Sequence, residues 1–337
     1  MASHLKHGIL FFVLALAVAL TGQPAAADGI RYRDEIFPPP TVAHDIDYGQ
    51  AIDEYGQPET LYLDLYQPDG DTEPLRPAFV WIHGGGFTGG DKASALDVEI
   101  ATRFAKRGYV TTSINYRLRE GEYFEPGDPD LPQAIFDAQH DAQAAIRWLR
   151  ANADAYDIDP DRIVVGGTSA GAITALFVTY NSGDPGDSGN PGYPSDTSAC
   201  VDISGAVAVG LMDAGEPPVL VVHGVEDTRV SYSSALAIVA RAAEVGIPAE
   251  FHSLEDIGHV VWTVYKEDII VWMANFLYVH VADPPPVGGI AEHPQIEPDA
   301  ATSEGGASTA IAIGGILAVG TLLLAAGAWG LRRRRAA

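Results

Sequence analysis

Between residues 62 and 279 short apolar runs alternate with longer stretches of helical period. Leu61, Leu63 and Leu65 alternate with polar residues, the period-two pattern of an early, half-exposed strand. Residues 78–82 form a continuous apolar run, which predicts a buried strand. The spacing predicts a helix over 93–107, stopped by Gly108, and a strand over 110–115. A long helix follows over 131–153, with Ile135, Ala138, Ala142, Ala145, Ile146 and Leu149 on one face. Residues 163–165 and 219–222 read as buried strands, 249–254 as a last strand, and 231–245 and 260–279 as helices. This alternation predicts an α/β fold with a mainly parallel sheet. Residues 182–198 are dense in Gly, Pro, Asp and Ser and predict a surface loop.

The two ends break the pattern. Residues 1–27 have the layout of a secretory signal peptide: Lys6, an apolar run over 8–20, and Ala25-Ala26-Ala27 as a cleavage site. Residues 309–331 carry no charge and are long enough to span a bilayer, and Arg332 to Arg335 follow at once. The positive-inside rule keeps those arginines cytoplasmic, so everything before the span is expected on the extracytoplasmic face. The expected division is a signal peptide over 1–27, a catalytic domain over 28–281 and a Pro/Gly/acidic linker over 282–308. A transmembrane helix over 309–331 and a basic tail over 332–337 complete it.

All 45 acidic residues fall between the two end segments, against fifteen basic ones, a formal charge of −30. Such a field excludes nucleic acid as a partner. Cys200 is the single cysteine, so no intramolecular disulfide can form and the domain must rest on its core. Neither C-x-x-C nor H-E-x-x-H occurs, so nothing points to a metal.

Candidate chemistry begins at Gly167-Thr168-Ser169-Ala170-Gly171, a G-x-S-x-G pattern between a strand and a helix-compatible run. A nucleophilic serine must stand exposed on a sharp strand-to-helix turn, and small residues on both sides let that turn close. Upstream, His83-Gly84-Gly85-Gly86-Phe87 follows the 78–82 strand. Glycines let such a loop aim several N–H groups at one developing oxyanion; the candidate donors are Gly85, Gly86 and Ala170. His83 is expected to shape that loop by hydrogen bonding rather than act as the base. Downstream, Asp227 and His259 each follow a strand, in the order acid then base. Glu226 is the rival acid and His252 the rival base, although His252 falls inside a strand pattern. His223 is expected to close its strand, and His140 to be a surface or packing residue.

With these residues in view, the chain resembles the α/β-hydrolase carboxylesterases of the hormone-sensitive-lipase, feruloyl-esterase-like and kynurenine-formamidase-like groups. The resemblance runs over 61–276 and rests on several motifs in order. They are Leu63-Asp64-Leu65-Tyr66-Gln67-Pro68, Trp81 to Phe87, Asn115-Tyr116-Arg117-Leu118 and the stretch from Asp157 through Gly171. It implies an α/β-hydrolase fold, a mostly parallel sheet flanked by helices. It also implies Ser169 as nucleophile, Asp227 and His259 as its partners, and Gly85, Gly86 and Ala170 as the oxyanion hole. Ala172 departs from the third glycine of many relatives, and the short stretch from Ser169 to Asp227 leaves no room for a large cap domain. The implied reaction is hydrolysis of a small carboxylic ester through an acyl-enzyme, with no cofactor. Aryl formamide or peptide cleavage at the same site, and a non-catalytic surface binding module, are the alternatives. Gly305-Gly306-Ala307-Ser308 with the apolar span and arginines is similar to Gly-Gly sorting tails cut by a rhomboid-type protease. A plain membrane anchor is the other reading.

Overall fold

The computed structural model describes residues 29–121 and 127–282. The expected signal peptide, membrane span and basic tail, with all but the first residue of the linker, lie outside the described residues. Among those described, no helix is long and apolar enough to cross a membrane.

Among the described residues eight strands form one sheet: β1 (Thr41–Ile52), β2 (Pro58–Gln67), β3 (Arg76–Ile82), β4 (Val110–Ile114), β5 (Ile158–Thr168), β6 (Ala199–Ile203), β7 (Val219–Gly224) and β8 (Ala249–Leu254). Their order across the sheet is β1-β2-β4-β3-β5-β6-β7-β8. The β1/β2 and β2/β4 pairs are antiparallel, and every later pair is parallel. The mainly parallel α/β expectation therefore holds.

Among the described residues five α-helices cover the two faces: α1 (Ala95–Ala105), α2 (Leu131–Ala151), α3 (Ala170–Tyr180), α4 (Tyr232–Val245) and α5 (Trp262–Leu277). Strand side chains alternate between faces, and β3 sorts its residues accordingly. Ala78, Val80 and Ile82 join the core built with α2, α3 and α4. Phe79 and Trp81 join the core built with α1 and α5. The two faces are thus sealed independently, which is why the central strands read as continuous apolar runs.

Two strands escape the sequence pattern. β1 is an edge strand with two register shifts and mostly exposed side chains, so its alternation is broken. β6 is five fully buried residues that include Asp202. The expectation that β2 is half-exposed fails at Asp64 and Tyr66, both buried. Asp64 accepts from Lys92 Nζ and from the Asp45 N–H, and Tyr66 packs on Ala101 and Ala105 of α1. The 182–198 segment is a surface loop as expected, pinned by buried Ser188, whose hydroxyl donates to Asp141 Oδ1 at 2.6 Å.

The carboxyl ends of β3, β5, β7 and β8 lead into the segments that carry the glycine loop, Ser169, Asp227 and His259. In open α/β sheets this edge is where ligands bind.

Candidate active site

Ser169 is the single residue between β5 and α3, with φ 53° and ψ −118°. A non-glycine residue held there stores strain, and the surroundings must hold it in place. They do so through contact: a methyl group on Gly167 would lie 2.5 Å from the Ile82 carbonyl oxygen. One on Gly171 would lie 2.1 Å from the same oxygen. Only glycines let the turn press this closely against the end of β3. The Ser169 N–H donates to Ile203 O at 2.9 Å, and its carbonyl accepts the Ile173 N–H that opens α3.

The glycine loop lies alongside. A methyl on Gly84 would stand 3.5 Å from Ser169 Cβ. Gly85, Gly86 and Phe87 all have positive φ, at 121°, 62° and 64°. The Gly85 carbonyl turns back to accept from Thr88 and Gly89. None of the hydrogen bonds among the described residues uses the N–H of Gly85, Gly86 or Ala170. Ala170 opens a helix, whose first N–H groups have no intrahelical acceptor and carry partial positive charge. His83 shapes the loop as expected: its Nδ1 donates to Gly84 O at 2.6 Å, and its ring stacks on Tyr116 at 4.5 Å. Burial pushes its pKa down, so the ring is a neutral structural donor.

The structure brings Ser169, His259 and Asp227 together. Ser169 Oγ lies 2.8 Å from His259 Nε2, and His259 Nδ1 lies 2.7 Å from Asp227 Oδ2. Asp227 is buried, and its Oδ1 accepts from the N–H groups of Arg229 at 2.8 Å and Val230 at 3.0 Å. Burial alone would raise its pKa; hydrogen bonds from His223 and His259 outweigh that and hold it well below the usual carboxylate range. It is a fixed anion behind the imidazole. An imidazole between a hydroxyl and a fixed carboxylate can take the hydroxyl proton while the carboxylate stabilises the resulting charge.

The rivals stand apart from this line. Glu226 is exposed. His252 stacks on Trp272 at 3.8 Å and bonds Glu250. His140 lies 3.6 Å from Asp184. His223 departs from expectation. It ends β7 as expected, but its Nε2 also lies 3.2 Å from Asp227 Oδ2 and 2.9 Å from Val230 O. The signal for this was the four-residue spacing from His223 to Asp227 across a tight turn.

Known families and proteins match parts of the chain. The family model described as BD-FAE matches residues 63–209, and that of the prolyl oligopeptidase family matches residues 187–279. The bile salt-activated lipase of Rattus norvegicus is 34% identical over 144 residues, 39% of this chain and 23% of the lipase. The acetylcholinesterase of Gallus gallus is 40% identical over 122 residues, 35% of this chain and 15% of that protein. Both matches span less than a quarter of the relative's length. A propionate-bound esterase from Thermogutta terrifontis superposes with a TM-score of 0.61 at 20% identity, covering 74% of this chain and 97% of that one. The chain has the α/β-hydrolase fold.

Proposed function

We propose that the chain is a serine carboxylesterase that hydrolyses small carboxylic esters. The observation that carries the reading is the hydrogen-bonded line from Ser169 Oγ through His259 to Asp227, beside a glycine loop with free N–H groups. His259 Nε2 takes the proton as Ser169 Oγ attacks the ester carbonyl. The N–H groups of Gly85, Gly86 and Ala170 receive the oxyanion. The alcohol leaves with the proton from His259. Water, activated by the same imidazole, then releases the acid and restores Ser169. Asp227 keeps Nδ1 of His259 protonated and faces the positive charge that forms. The fold-level likeness to a propionate-bound esterase supports a short acyl group.

A second reading, cleavage of an amide or peptide at the same site, has one observation in its favour. The prolyl oligopeptidase family model covers the segment with Asp227 and His259. Matched p-nitrophenyl esters and p-nitroanilides with the same acyl group separate the two. The esterase reading expects turnover of the esters far above that of the anilides, and the reverse ranking overturns it.

The protein is proposed to act outside the cytoplasm, tethered through residues 309–331. The support is the signal-peptide pattern and the apolar span ahead of four arginines. Deleting residues 309–337 should release the domain from membranes, and continued retention contradicts the tether. If the Gly305-Gly306 segment is a sorting site, a mature form lacking the span will appear in wild-type cells and vanish when both glycines are replaced.

A further inference from the structure

Asp227 Oδ2 faces two imidazoles, not one. His259 Nδ1 lies at 2.7 Å and His223 Nε2 at 3.2 Å. The His223 ring also closes the turn that carries the acid: its Nε2 lies 2.9 Å from Val230 O, while the Val230 N–H donates to Asp227 Oδ1 at 3.0 Å. His223 thus grips both the carboxylate and its loop.

Behind His223 stands a second carboxyl group. Asp202 pairs with Val221 in the β6/β7 register. His223 is two residues beyond Val221 and so shares its face, making Asp202 and His223 diagonal neighbours within side-chain reach. Both are fully buried. Asp202 Oδ1 accepts from the Gly205 N–H at 2.7 Å. Its Oδ2 and His223 Nδ1 have no hydrogen-bond partner among the described residues. Two unpartnered buried polar atoms of complementary chemistry on one sheet face are costly.

We propose, building on the esterase reading, that His223 and Asp202 form a second imidazole–carboxylate pair behind Asp227, in which His223 is a positioning residue for His259. When His223 carries its second proton, it draws on the negative charge of Asp227 and leaves less of it to stabilise the charge that forms on His259 in the reaction. When His223 is neutral, Asp227 serves His259 alone. The titratable groups that face His223 are Asp202 from β6, Asp227 from the turn after β7, Tyr232 from α4 with ring centroids 6.1 Å apart, and His259 across the shared carboxylate. Burial works against the charged ring, but Asp227 and Asp202 more than offset it and raise the His223 pKa. Burial likewise pushes Asp202 up to about 6. Each member of the pair thus holds its proton more tightly than it would free in water.

The test is the pH profile of kcat/KM on a short p-nitrophenyl ester for wild type, His223→Gln and Asp202→Asn. Glutamine places an N–H donor near the position of Nε2 but cannot titrate. The expected results are two steps on the rising limb for wild type and a single step for His223→Gln, with a plateau rate within about threefold, below the ~5-fold effect of one typical lost hydrogen bond. For Asp202→Asn the second step is expected about one pH unit lower, because the charge that favours protonated His223 is gone. His223→Leu, which loses the donor as well, is expected to lose ~10-fold or more in kcat with KM unchanged. A merely structural histidine would lower thermal stability and leave the profile alone. A wild-type profile in both His223→Gln and Asp202→Asn overturns the proposal. If His223→Gln does not fold, an unshifted Asp202→Asn profile overturns it alone. A wild type that labels with fluorophosphonate while the variants keep its profile refutes only the second pair. A wild type that neither labels nor turns over refutes the esterase reading and this proposal together.

Discussion

Gly171 packs so closely under β3 that a methyl on its Cα would stand 2.1 Å from the Ile82 carbonyl oxygen. This contact joins the turn at Ser169 to the strand that leads into the glycine loop. Gly171→Ala must push the two apart. The expected cost is ~2 kcal/mol, the scale of overpacking, with Tm several degrees lower. Displacement of Ser169 should also lower kcat by ~100-fold, the effect of an ångström-scale misplacement. Gly210→Ala is the control, because nothing lies within 4 Å of its added methyl. Thermal melts and ester assays on both variants check this, and equal behaviour of the two contradicts it.

Arg117 ties three separate segments of the chain together. Its guanidinium donates to Asp141 Oδ1 at 2.8 Å and reaches Ile52 O, Asp137 O and Ser188 Oγ, so it ties β1, α2 and the 182–198 loop to one point. Asp141 is fully buried. Arg117→Leu leaves that carboxylate without its cation, which costs about 3–5 kcal/mol. Adding Asp141→Leu should recover part of the loss, because the unpaired charge goes with it. Denaturant midpoints for the single and double variants decide this. A double variant no more stable than Arg117→Leu contradicts it.

Asp97 predicts a pH dependence of stability. It is buried in the first turn of α1, accepts from Trp81 Nε1 at 2.8 Å, and burial pushes its pKa up to about 6. The folded state therefore keeps a proton that the unfolded chain gives up near the ordinary value of 3.8. Its stabilising contribution is full below that ordinary value and is lost as pH rises through about 6, by up to ~3 kcal/mol. Asp97→Asn keeps an acceptor for Trp81 and has no charge to bury. It should match wild type near pH 4 and exceed it in Tm above pH 7. A Tm difference that does not change with pH contradicts the assignment.

Within the proposed mechanism, Asp227→Asn keeps the shape of the carboxylate and removes its charge. The expected loss is about 10⁴-fold in kcat, as for a triad held in the wrong tautomer. His259→Gln should lose at least as much, and the double variant little more, because residues that act as a unit are not additive. Steady-state kinetics on the three variants check this. Independent, multiplying losses contradict a single chemical unit.

Much of this architecture was legible in the chain because its signals are local. The buried strands at 78–82 and 219–222 are apolar runs, and α2 shows its face through Ile135, Ala142 and Leu149. The glycines at 167 and 171 announce a close approach, since any side chain there would strike the backbone of β3. β1 was hidden because its register shifts interrupt the alternation. Asp64 read as solvent-facing because its partners, Lys92 and Asp45, come from other segments. The grip of His223 on Asp227 needed the turn after β7 to be seen closed. Asp202 gave no signal at all, because its neighbour is set by β6/β7 register, which a single sequence does not display.

The central claim is that Ser169 is a nucleophile, and an active-site-directed fluorophosphonate followed by peptide mass mapping tests it most directly. The account predicts one stoichiometric adduct on the peptide containing Ser169, loss of ester turnover in step with labelling, and no adduct in Ser169→Ala. An unlabelled wild type, or an adduct that persists in Ser169→Ala, would contradict it.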